Sequence, residues 1–98
     1  MNARVSIHEV AEIELNDAAD FYDIAGVKLG AAFIEMVQRT IKRISEFPEA
    51  APVIRLQIRK TQVARFPYSV FYSVRSNEIR ILAIAHQKRR PFYWRSRQ

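Results

Sequence analysis

The chain has no cysteine, which excludes a disulfide frame and any thiolate metal site. Histidine is limited to His8 and His86, too few for a histidine cage around a metal, so neither a metal nor another cofactor is expected. No apolar run approaches the roughly 20 residues of a membrane span, and the first residues lack the apolar core of a signal peptide. A soluble, cytoplasmic protein without membrane contact is therefore expected. Carboxylates are scarce in the second half, where Glu78 alone faces eleven lysines and arginines. Residues 1–49 show the reverse balance, nine acids against five bases. The formal net charge of +6 thus belongs to the C-terminal half. Such asymmetry points to an anionic partner, either nucleic acid or an acidic protein. The plainer alternative is internal neutralisation, with acidic helices packed beside basic strands.

What remains suits one compact domain over 1–98: 98 residues can enclose a core but are too few for two. In residues 2–7, Ala3, Val5 and Ile7 alternate with polar neighbours, the period of a half-buried strand. From His8 the period changes. Ala11, Leu15, Ala18 and Tyr22 fall on one helical face, leaving Glu12, Glu14, Asp17, Asp20 and Asp23 toward water. Glu9 and Glu12 complement the positive end of that helix, and Gly26 can end it in a left-handed conformation. A second helix is predicted from residue 27 or 28 to about Glu46, with Leu29, Phe33, Val37, Ile41 and Ile44 as its buried stripe. Pro48 stops it, and the short break between the helices favours an antiparallel hairpin.

Residues 48–54 read as a loop, and 56–65 as a strand with weak alternation. Residues 69–75 and 78–85 are clearer strands, joined by a Ser76–Asn77 turn. That register sets Val74 opposite Ile79, Tyr72 opposite Ile81 and Val70 opposite Ala83. On the other, mixed face it sets Ser73 opposite Arg80, Phe71 opposite Leu82 and Ser69 opposite Ile84. The predicted architecture is α+β: a strand, a helix hairpin, then a three-stranded antiparallel sheet (β-α-α-β-β-β). The last strand runs into His86, Lys88, Arg89, Arg90, Tyr93, Trp94, Arg95 and Arg97, a cationic and aromatic tail.

This order resembles the RelE/ParE superfamily, the toxins of type II toxin–antitoxin modules. The likeness is carried by the EL, AA and FY pairs within residues 14–22, by Phe47–Pro48, by RFPYSVFY at 65–72, and by H..RRP.YW..R at 86–97. It implies a small toxin, of a kind linked to plasmid stabilisation, held in a hetero-oligomer by a cognate antitoxin. Two activities occur in the superfamily: ParE-like members poison DNA gyrase, and RelE-like members cut mRNA on the ribosome. The ending at 86–97 is closer to the ParE branch. As a nuclease, the chain would need a base for the attacking 2′-hydroxyl, cations for the phosphorane and an acid for the leaving oxygen. His86 suits acid or base work, and Arg65, Arg89 and Arg90 suit phosphate. However, Ser69 stands where RelE-like nucleases resemble one another in carrying an arginine. As a gyrase poison, the chain would meet its target through Lys88, Arg89, Arg90, Tyr93, Trp94 and Arg97. A third reading is a basic nucleic-acid-binding module without chemistry, whose binding salt would weaken steeply.

Each of these residues also has a quieter role open to it. His86 at a strand end can serve as a structural hydrogen-bonding group, and Tyr72 as core with its hydroxyl satisfied nearby. Phe92, Tyr93 and Trp94 can fold back over an exposed part of the sheet, and Arg95 and Arg97 can be a solvated end. Lys88, Arg89 and Arg90 have the firmest claim to a partner, because three adjacent cations repel one another without one.

Overall fold

The computed structural model describes residues 3–97; the predicted strand start at Asn2 lies outside the described residues. Strand β1 (Arg4–Ile7) leads into helix α1 (Glu9–Ala25), α2 (Leu29–Glu46), and strands β2 (Val53–Arg55), β3 (Ile58–Gln62), β4 (Tyr68–Arg75) and β5 (Glu78–His86). The α+β class is as predicted, but the sheet has five strands rather than three, in the order β1-β5-β4-β3-β2. β1 joins as an edge strand parallel to β5. β2 overlaps the end of the predicted loop and extends one residue past it. It is three exposed residues long and irregularly paired to β3, too short to show an alternation in sequence. Among the described residues no helix is long and apolar enough to cross a membrane.

His8 caps α1: its Nδ1 accepts the Val10 N–H at 3.1 Å. Ala11, Ala18 and Ala19 are buried along α1, and small residues there let α2 approach closely. The closest approach is at Gly30, whose N–H donates to Asp23 Oδ1 at 2.8 Å. A Cβ on Gly30 would collide with the Ala19 carbonyl and the Asp23 carboxylate. Two expectations are corrected here. Gly26 is extended (φ −167°), and the left-handed residue of the interhelical turn is Lys28 at φ 60°. Glu14, assigned to water, has a side chain only 13% exposed. It lies three residues after Ala11 and four before Ala18, hence on the buried face.

Tyr22 of α1, Phe33 of α2, Phe66 and Tyr68 of β4 form a ring cluster with centroids 4.8–6.1 Å apart. Such edge-to-face packing adds to simple burial, and it fixes the helix pair onto one end of the sheet. Tyr72 is buried in the same core, and its hydroxyl donates to the Pro48 carbonyl at 3.2 Å.

The β4–β5 register agrees with the sequence reading at Val74–Ile79, Ser73–Arg80 and Tyr72–Ile81. Beyond those pairs it slips by one. Phe71 faces Ala83, Val70 faces Ile84 and Ser69 faces Ala85, because Leu82 is an extra residue in β5. This is a bulge, which re-aims the strand beyond it. Its effect is to bring His86 opposite Tyr68.

Candidate functional site

The basic loop starts from the end of β5, and its first turn is set by His86. The imidazole packs edge-on to Tyr68 at 5.2 Å, and its Nδ1 accepts the Lys88 N–H at 3.0 Å. The His86 carbonyl accepts the Arg89 N–H at 2.9 Å. One ring nitrogen is thereby occupied in shaping the turn. Lys88, Arg89 and Arg90 emerge exposed, and among the described residues none pairs with a carboxylate.

Residues 91–97 then fold back as consecutive turns, closed by Arg95 N–H to the Phe92 carbonyl and Arg97 N–H to the Trp94 carbonyl. Phe92 takes a left-handed conformation, φ 60°. Trp94 lands on the face of the sheet opposite the helices, 2% exposed, with its ring 5.0 Å from Phe71. Phe92 packs against Trp94 at 5.7 Å and lies under the Arg55 guanidinium at 5.5 Å. The mixed face of β4 and β5 is thus covered by the chain's own tail. In this fold most of the Trp94 ring surface is spent on packing, with its edge on the cavity described below.

Beyond Trp94 the tail is clasped by Glu14. Arg97 donates to both carboxylate oxygens, Nη1 to Oε1 at 2.8 Å and Nη2 to Oε2 at 3.1 Å. Tyr93 donates to Oε2 at 2.6 Å. The same groups close the β5 edge. β1 stops serving it where the His8 N–H donates to the Ile81 carbonyl. Past that point the Leu82 carbonyl accepts from Arg97 Nη1 at 3.0 Å, and the Ile84 N–H donates to Glu14 Oε1 at 3.1 Å. Two side chains replace a strand there, satisfying backbone groups that would otherwise be unpaired.

This electrostatic setting is visible in the proton affinities. Burial pushes the Tyr93 hydroxyl well above the ordinary tyrosine value, and the hydrogen bond and charge of Glu14 push it further. Burial alone would lower the Arg97 value, but its contacts with Glu14 outweigh that and raise it. Arg97 is therefore a cation paired within the fold. Tyr93 is half-buried, and one ring face remains in use: the Arg89 guanidinium lies 3.9 Å from its centroid. That stack fixes one of the three loop cations in direction.

Between the loop, the tail and β3–β4 lies an open cavity of about 280 Å³, walled by Lys60, Ser69, Phe71, His86, Arg89 and Arg90 among others. No acidic side chain lines it. Arg65, grouped by sequence with His86 and Arg89 for phosphate chemistry, is exposed in the β3–β4 connection with φ 73° and lines neither cavity that those two residues share. Lys60 and Glu14 were not singled out by sequence as site residues. Lys60 carried no signal beyond its charge, whereas Glu14 was detectable from its helical spacing to Ala11 and Ala18.

The family model described as "ParE toxin of type II toxin-antitoxin system, parDE" matches residues 5–91. Among solved structures, the chain is similar to the chromosomal ParDE TA system from P. aeruginosa. The TM-score is 0.62 at 19% identity, over 86% of this chain and 95% of that one. At that identity the likeness establishes a shared fold. No curated protein matches the chain.

Proposed function

The chain belongs to the ParE toxin family of type II toxin–antitoxin systems, and from that premise we propose that it arrests growth by inhibiting DNA gyrase. A cognate antitoxin, bound in a hetero-oligomer in the cytoplasm, silences it, and such a pair stabilises the plasmid or chromosomal segment that carries it. The contact with the target is made by Lys88, Arg89 and Arg90, with Tyr93 holding Arg89 in place. One observation carries this reading: these three cations are exposed and paired with no described carboxylate, whereas Arg97 is paired with Glu14 and Trp94 is packed on the sheet. Uncompensated positive charge on a rigid support attracts an anionic surface and speeds encounter with it.

RNA cleavage on the ribosome is the second reading, supported by the shared cavity of Lys60, His86, Arg89 and Arg90. It has less support, since Arg65 stands apart and Ser69 supplies no charge to a phosphorane. The test is supercoiling by purified gyrase, with and without the protein. Inhibition by the wild type and its loss in R89A/R90A is the expected result. Unaffected supercoiling, together with mRNA cut on translating ribosomes, would replace the gyrase reading with the nuclease one.

A further inference from the structure

Glu14 lies on α1, far in sequence from the loop cations, yet it meets both β5 and the tail that support them. Its four hydrogen bonds reach Tyr93, both Arg97 nitrogens and the Ile84 amide. Ile84 belongs to the strand that delivers the loop, and Tyr93 is the ring on which Arg89 rests. The side chains of Glu14 and Arg97 are each 13% exposed, so solvent screens the pair little and water cannot easily replace either partner. Arg97 also lies near the Tyr93 ring, 5.0 Å from its centroid. The two guanidiniums of Arg89 and Arg97 therefore share one aromatic ring, and the carboxylate offsets the repulsion between them.

We propose that Glu14 is a positioning residue for the target-binding surface: its carboxylate, by holding Tyr93 and Arg97 on the β5 edge, sets where the Arg89 guanidinium points. This rests on the reading that Lys88, Arg89 and Arg90 meet the target. Glu14 has both carboxylate oxygens engaged within the fold and acts on Arg89 through Tyr93, which it holds together with Arg97. Glutamine at this position preserves size but not charge. Its amide would present N–H groups to donors, so Tyr93 and Arg97 would no longer share both oxygens. The Arg89 support would then loosen while the apolar contacts of Trp94 remain.

A mutant cycle between Glu14 and Arg89 separates positioning from plain stabilisation. Wild type, E14Q, R89A and E14Q/R89A are each induced in cells without antitoxin, and the level of folded protein needed to halve growth is measured. Emission from Trp94, the one tryptophan of the chain, reports on tail docking in each purified variant. A positioning residue gives a loss of about tenfold for E14Q in the wild-type background and less than about twofold in the R89A background, because the effect runs through Arg89. Equal losses in both backgrounds would show that Glu14 only stabilises the fold and would overturn the proposal, as would no loss at all. If R89A were as toxic as wild type, the binding reading beneath it would fall instead. Should E14Q not fold, Y93F runs the same cycle. It keeps the ion pair and removes only the hydroxyl bonded to Glu14, and the same non-additivity with R89A is expected.

Discussion

Glu14 shows how much one side chain can organise. A carboxylate taken out of water is costly unless each oxygen is paired, and here both oxygens are engaged by Tyr93, Arg97 and the Ile84 amide. Removing it leaves the Arg97 guanidinium and the Ile84 N–H without their partner. Glu14→Ala is expected to lower stability by about 3–5 kcal/mol, measured by urea unfolding at neutral pH. Arg97→Met is expected to cost less if Glu14 then turns toward solvent. The half-buried tyrosines give a second handle. Burial raises the proton affinity of Tyr22, Tyr68 and Tyr93 in the folded state above the ordinary value of 10.0. For a raised group, stability is full below the unfolded value and declines as pH rises above it. The tyrosine contribution to thermal stability is therefore expected to be constant from neutral pH to about pH 9 and to fall beyond about pH 10. Tyr93→Phe should remove part of that decline.

The α1–α2 hairpin and the tail are the two elements whose packing decides whether the surface exists. Gly30 marks the closest helix approach, and Gly30→Ala tests it against helix propensity. An exposed helical glycine changed to alanine gains about 1 kcal/mol, but here the added Cβ meets the Ala19 carbonyl and the Asp23 carboxylate. Overpacking of that kind costs about 1–3 kcal/mol, so a lowered melting temperature is expected, and a raised one would show that the helices separate freely. Trp94 fastens the tail by burial against Phe71. Trp94→Ala is expected to cost about 3–5 kcal/mol and to weaken toxicity beyond the loss of folded protein.

The helix elements were legible in sequence because Leu29, Phe33, Val37 and Ile44 repeat over many turns, and such a period is hard to mistake. β2 was not legible, since Val53, Ile54 and Arg55 are exposed and held only by pairing to β3. The slip at Leu82 was also hidden. Apolar residues run on both sides of that position, so alternation gives no mark of an extra residue, and the groups that hold the bulge, Glu14 and Arg97, are 68 and 15 positions away in the chain by their numbers. In the tail, sequence gave the residue types but not their division. Trp94 and Arg97 turn inward, whereas Lys88, Arg89 and Arg90 remain outside.

Over the whole molecule, the acidic residues gather on α1 and the cations on the strands and the loop after them. α1 shows water the carboxylates of Glu9, Glu12, Asp17, Asp20 and Asp23, while the strands and loop beyond carry the exposed cations Lys60, Arg75, Lys88, Arg89 and Arg90. Internal neutralisation across this divide is concentrated in the Glu14–Arg97 pair, so most of the C-terminal charge is left for a partner. Binding of that partner should weaken as salt rises, because exposed charges are screened over roughly 8 Å at physiological ionic strength. The most direct test is growth after induction, without antitoxin, of the wild type and of K88A/R89A/R90A at matched levels, with Trp94 emission checking that both are folded. Arrest by the wild type and continued growth with the folded triple variant is the expected outcome. A folded triple variant that stops growth as fully as the wild type would contradict the assignment of this surface.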